Sequence, residues 1–368
     1  MRVSTSSHGL SRRQIVAALL AGGLAHRSGN APAASRGAVA AIVRQWSTDN
    51  EVLAPLTWSE GHVFFAGNQT LGRIDPAAKG VAWSAAHGFS AEAVFRPRVA
   101  GHLLVAGSLH ELGAWDIAKG KRRWLRKAVT QMGVPCLTAT HTYAGDGHAL
   151  LALANADGST LWRFEGTADT LSSYAPTVAG DSVLFAPGNG LLYAISARDG
   201  RLKWQLNRSD EWQYLRQLHV SGNVLVAGSY KELLYGISVS DGKVLWTFNA
   251  GNFINSHHVA GDTAYLWSPT GWIYAIDIAN GNVRWRHQTT NYGQTSTNWA
   301  PMMAELVTAG DHLFALDMAN VLHVLSLTSG AEIVQIRFPE ELRPTVLAHR
   351  KTQAFVATEY GAIQQVRW

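Results

Sequence analysis

Arg96, Arg216 and Arg343 each stand beside the start of a repeated apolar segment. A guanidinium presents a planar fork of donors, so three of them facing one another would take a carboxylate or phosphate. Each could instead pair with an acidic side chain of a neighbouring segment. Tyr174, Asn255, His257, Asn298 and Trp299 hold comparable places, as does the apolar Met132. Together they form a candidate ligand-binding set, with amide, imidazole and aromatic contacts around the arginines. His257 and His258 stand out among 15 histidines. Adjacent strand residues point to opposite faces, so this pair does not readily hold one metal ion. No metal is expected there. The longest polar connection, residues 291–299, is a second place where recognition could occur.

Several chemistries lack their residues. Cys136 is the only cysteine, so an internal disulfide, a CxxC site and a haem attachment are all excluded. It lies in the apolar stretch Val134-Pro135-Cys136-Leu137 and reads as a small buried hydrophobe. No glycine-rich phosphate loop joins a strand to a helix. No Ser/His/Asp grouping stands out.

The net charge of +5 is unevenly placed. Residues 1–34 hold Arg2, Arg12, Arg13 and Arg27 and no acidic residue, which leaves 27 of the 31 basic residues against 26 acidic ones. The body is close to neutral, and nucleic-acid binding loses its electrostatic support. In the leader, Ser11-Arg12-Arg13-Gln14-Ile15-Val16 opens an apolar run from Ile15 to Ala25, followed by small residues. This resembles a twin-arginine signal peptide, with Ala31-Pro32-Ala33 as the preferred cleavage region. The run is about half the roughly 20 residues a spanning helix needs, and no other segment is long and apolar enough. With no cysteine near it, a lipid anchor is not expected.

A repeat must position the candidate residues. An apolar strand, a Gly, and a second strand ending near Asp or Ser lead to a turn Gly and, four residues later, a Trp. Clear copies end in Gly120/Trp124, Gly200/Trp204, Gly242/Trp246 and Gly281/Trp285, with a fifth at Gly158/Trp162. Trp83 ends a copy one residue short, and a late copy carries Val334 in place of Trp. The intervals between these tryptophans are 41, 38, 42, 42 and 39 residues, the length of one four-stranded blade. Asp-Gly and Asn-Gly suit two-residue hairpin turns. Each Trp can fill the gap between neighbouring sheets. Pro55, Pro97, Pro135, Pro176, Pro301 and Pro344 mark unit starts, where a missing N–H costs no ladder bond; two further units start near Gln217 and Ser256. The eighth unit stops before its last strand, and Ala41–Trp46 reads like the missing piece. The sequence therefore predicts an all-β, eight-bladed β-propeller over residues 35–368, its last blade closed by the N-terminal strand.

The spacing Ala-x-Asp-x-x-x-Gly-x-x-x-Trp resembles the tryptophan-docking repeat of pyrroloquinoline-quinone (PQQ)-like propellers, over nearly all of the mature chain. In that family, quinoprotein alcohol and sugar dehydrogenases hold PQQ and Ca²⁺ in the funnel of an eight-bladed ring. The barrel-assembly lipoprotein BamB has a similar ring without a cofactor and works as a scaffold. The chain is short for the dehydrogenases, lacks their adjacent-cysteine pair, and has no Asp or Glu at the inferred mouth positions; Glu51 and Glu92 fall just outside. The resemblance implies an exported, soluble, monomeric scaffold in the periplasm or outside the cell. It would bind an envelope protein or a small anionic ligand and take no cofactor. The alternative is a compact PQQ-dependent dehydrogenase using PQQ and Ca²⁺ on an alcohol or sugar.

Overall fold

The computed structural model describes residues 41–368 except Val94, 168–170, 172–173, 213–214, 230–231, 252–253, Asn255, 269–270, 290–304 and Met318; the side chain of Arg216 is also outside the description. The leader, Asn255, Asn298 and Trp299 thus lie outside the described residues. Among those described, every regular element is a strand, and the strands form eight antiparallel four-stranded sheets. Each sheet is a meander from an inner to an outer strand. Seven blades span residues 57–86, 98–127, 136–165, 177–207, 215–249, 256–288 and 307–337.

The eighth blade joins both ends of the described chain. Its inner strands run from Leu342 to Arg367, and its outer strand is Ala41–Ser47, paired antiparallel with Ala362–Arg367. Trp46 lies opposite Ile363, and Ile42 opposite Val366. Gln45 accepts a hydrogen bond from Gln364 at 3.1 Å. The predicted closure is present.

The tryptophans explain why Gly and Trp recur at a fixed interval. The indole N–H groups of Trp46, Trp83, Trp124 and Trp162 donate to the carbonyls of Ala78, Ile117, Asn155 and Ala197 in the following blade. Trp204, Trp246 and Trp285 donate likewise to Val239, Ile278 and Leu327, at 2.7–2.9 Å. Each of six rings also lies on the turn glycine of that next blade. A Cβ on Gly242 would fall 2.7 Å from Trp204, and Gly242 has φ +73°. Glycine is required there twice over, by backbone angle and by the indole above it.

Val334 marks the junction that breaks the rule. Its neighbour, the eighth blade, has no turn between third and fourth strands, because those strands come from opposite ends of the described chain. No turn carbonyl or glycine awaits an indole, so the Trp has no seat. Trp368 packs into the same cluster instead, edge-on to Phe314 at 5.8 Å.

Two local expectations need correction. The third-to-fourth turns are not two-residue hairpins. In blade 4, Gly200 N–H donates to Ser196 O and Ser196 N–H to Arg201 O, enclosing residues 197–200, with only the glycine at positive φ. The Asp before the glycine instead accepts from the backbone N–H two residues on, as Asp199 does from Arg201, and a strand-end Asp accepts within the turn, as Asp116 does from Ala118 and Lys119. The proline marker also slips. Pro97, Pro135 and Pro176 directly precede their strands, but Pro344 lies inside Leu342–Arg350, where the ladder breaks between Leu342 and Val346 and no N–H is needed. Pro301 is outside the description, and the seventh blade begins only at Val307.

Candidate functional site: the channel mouth

An inner-to-outer meander sorts its loops onto two faces of the ring. First-to-second and third-to-fourth turns share one, here the turn face. Second-to-third turns and the links between blades share the other, the connector face. The candidate residues come from the links, so they belong to the connector face.

There the structure assembles a charged cluster from distant blades. Arg96 enters blade 2 and Glu305 enters blade 7, which are separated around the ring by blades 1 and 8. Their Nη2 and Oε2 atoms nevertheless meet at 2.6 Å, so the ion pair bridges the mouth of the channel. Glu305 faces water on one side, with 44% of its side chain exposed, and protein crowds it elsewhere. Burial raises its pKa, but Arg96, Arg98 and a hydrogen bond from Gln217 outweigh this and hold it below the usual carboxylate range. Arg98 opens the inner strand of blade 2. Burial, and then the like charge of Arg96, lower its pKa.

Two imidazoles complete the cluster. His219 lies edge-on to His257 and His258, at 5.0 and 5.7 Å between ring centres. His258 shares a 3.1 Å hydrogen bond between Nε2 and Thr308 Oγ1 of the next blade. Burial lowers the pKa of both, that of His258 to about 4, so both rings are neutral at pH 7. Gln217 accepts from His257 N–H at 3.0 Å and holds a non-glycine φ of +47°, where the strand breaks register between Arg216 and His219. Strain of this kind needs surrounding contacts to keep it.

The remaining sequence candidates scatter. Arg343 pairs with Glu359 of its own blade at 3.0 Å, the local alternative to a shared site. Of the three arginines, Arg96 is in the mouth, Arg343 pairs with Glu359, and the side chain of Arg216 lies outside the described residues. His257 is 1% exposed and backs His219 from within the blades, and His258 beside it is the less buried of the pair. Tyr174 is half-buried in the link to blade 4, and Met132 is fully buried in a blade core. The turn face has a cleft of about 270 Å³ between blades 6 and 7, but its charges are already paired, Arg284 with Asp262 and Asp277.

Against known proteins, the profile of the family described as outer membrane protein assembly factor BamB matches residues 67–213 and again 211–353. The chain belongs to this family. Among solved structures, BamB from Moraxella catarrhalis is similar at 16% identity and TM-score 0.68, over 90% of this chain and all of that one. The C-terminal WD40 domain of Sif2 aligns at 12% identity and TM-score 0.74, over 91% and 99% of the two chains. The computationally designed Ika8 protein aligns at 12% and 0.73, over 88% and 99%. These identities establish the ring and nothing finer. No curated protein sequence is a significant match.

The quinone and Ca²⁺ that the repeat's resemblance implies would need oxygen donors in the funnel. Ca²⁺ takes six to eight oxygens, usually including several carboxylates. Glu305 is the carboxylate of the described mouth, and Arg96 already occupies it. Among the described residues no three His, Cys, Asp or Glu side chains come close enough to share a metal ion. The described mouth does not fit a Ca²⁺–quinone centre.

Reasoning from sequence missed Arg98, His219 and Glu305. A signal for the first two was present. The inner strands end in a shared pattern, Arg98-Val-Ala-Gly, Thr177-Val-Ala-Gly, His219-Val-Ser-Gly and His258-Val-Ala-Gly, with Val307-Thr-Ala-Gly close to it. The glycine is at positive φ each time. That pattern fixes the register better than the prolines and places Arg98, His219 and His258 at one equivalent position.

Proposed function

We propose that the protein is an exported scaffold of the cell envelope that docks another protein on its connector face. The family description, an outer membrane protein assembly factor, supplies the class. Its twin-arginine-like leader supplies the compartment. One observation supports the choice of face. Of the large apolar side chains exposed among the described residues, Leu109, Val129, Leu171 and Tyr360 lie on the connector face, the last 85% exposed. The others lie on outer strands at the rim, and none lies on the turn face. Four exposed apolar side chains on the connector face against none on the turn face favour the connector face for a partner. In this reading the ring works without a cofactor.

Site-specific photocrosslinking in living cells tests the assignment. A photoreactive residue at Val129 or Tyr360 should give a discrete adduct with an envelope protein, and one at Asp181 on the turn face should give none. Adducts from Asp181 alone would reverse the face. Purified protein mixed with PQQ and Ca²⁺ should show no quinone absorbance band and no dye reduction with alcohols or sugars; reduction would replace the scaffold by a dehydrogenase.

A further inference from the structure

We infer that Arg98 anchors a small monocarboxylate in the channel mouth, at a site separate from the docking surface. The position of Arg98 in its blade is shared by Thr57, Cys136, Thr177, His219, His258 and Val307, each paired third from its first turn. These residues are neutral, and two of them find partners within the ring: Thr57 Oγ1 donates to Pro97 O, and His258 meets Thr308. Arg98 alone brings a formal charge. It is part-buried. Its Nε has no hydrogen-bond partner, and it makes no ion pair among the described residues, since Glu305 is bound to Arg96.

A part-buried guanidinium with no carboxylate of its own among the described residues, and with its buried Nε unbonded, is costly unless something supplies an acceptor. The charge balance of the described side chains says what. Among them two guanidiniums face one carboxylate, and both nearby imidazoles are neutral, so one positive charge is left over. One negative charge balances it; a phosphate dianion would overshoot beside Glu305. A carboxylate matches the guanidinium fork with two parallel hydrogen bonds. His219, His258 and Gln217 surround the place with neutral polar groups that can donate to the same ligand or to its bound water.

The full chain can be titrated with sodium acetate in chloride-free buffer at pH 7.5 and followed by ligand-observed NMR. Saturable binding is expected, with inorganic phosphate binding no tighter. Arg98→Gln should weaken it by at least about tenfold, the usual weight of a charge-assisted hydrogen bond. Arg201→Gln, on an exposed turn, should leave it unchanged. Arg98→Gln removes an unpaired charge beside Arg96, so its melting temperature should hold or rise. Should that variant fail to fold, Arg98→Lys retains the charge, loses the fork, and should still weaken binding severalfold. Absence of saturable acetate binding, equal affinity in the Arg98 variant, or a preference for phosphate would overturn the assignment. None of these outcomes bears on docking at Val129 or Tyr360.

Discussion

On the turn face one geometry recurs. Gly101, Gly180, Gly222, Gly261 and Gly310 take positive φ at the first turns, and Gly120, Gly200, Gly242, Gly281 and Gly330 do so at the third, each of the latter under an indole from the preceding blade. The connector face repeats almost nothing. Its links differ in length, its exposed side chains include Val129 and Tyr360, and its centre holds an ion pair between blades that are not neighbours. The contrast separates two jobs on one ring. Identical junctions hold the blades together, so they cannot vary. Links carry little of that load and are free to acquire binding groups, as loops on rigid scaffolds generally do.

The strongest test of this division removes a junction. Trp246 is 8% exposed, donates to Ile278 O at 2.7 Å and covers Gly281. Trp246→Ala should cost about 3–5 kcal/mol, the usual range for deleting a large buried aromatic. By contrast, Glu305→Ala in the mouth should cost about 1–3 kcal/mol, less than the junction variant, because it leaves Arg96 unpaired at a site that water partly reaches. Urea titrations of the two variants decide the matter. A mouth variant as damaging as the junction variant would show that the bridging pair also holds the ring closed.

The same division explains what could be read without coordinates. Blade number, period and the closing role of Ala41–Ser47 were legible because each junction needs Gly and Trp at a fixed local spacing. The missing Trp at Val334 was visible as well, though its cause was not: it depends on the eighth blade having no turn to receive an indole. Arg96, a candidate from the sequence, pairs with Glu305 across the mouth. Arg98 and Glu305 were overlooked, since the prolines gave a register that drifts in the last blades. Glu305 also reaches the site from a link with no counterpart in other blades, and no repeat can reveal a residue that occurs once.

Acidity should sharpen the contrast. Burial lowers His258 from 6.5 to about 4 and lowers His219 and His257 as well. Their neutral rings contribute stability above pH 6.5, which is lost as the pH falls towards 4. His323 behaves oppositely. Burial lowers its pKa, but Asp317 and Glu332, with Glu332 at 2.7 Å from Nδ1, outweigh burial and raise it above 6.5. Its contribution is full below pH 6.5 and lost as the pH rises through the raised value. His323→Gln should flatten the alkaline limb of a stability–pH curve, and His258→Gln the acid limb, each leaving the other limb unchanged. An unaltered curve in either variant would assign that limb to other groups.

The smallest effect belongs to the turn face, and its smallness is the point. Asp241 and Asp262 are held at about 2, the first chiefly by a hydrogen bond from Lys243 and the second by one from Arg284. Neither titrates while the buried histidines do, so the turn face should be silent between pH 4 and 6.5. Both carboxylates are exposed, where water already solvates the charge and salt screens the pair. Lys243→Gln should therefore leave the melting temperature unchanged at every pH in that range, measured by circular dichroism. A clear pH-dependent loss in this variant would mean that surface charge, and not the indole junctions, sets the strength of the turn face; the two faces would then differ in sequence variety but not in the physics that holds them.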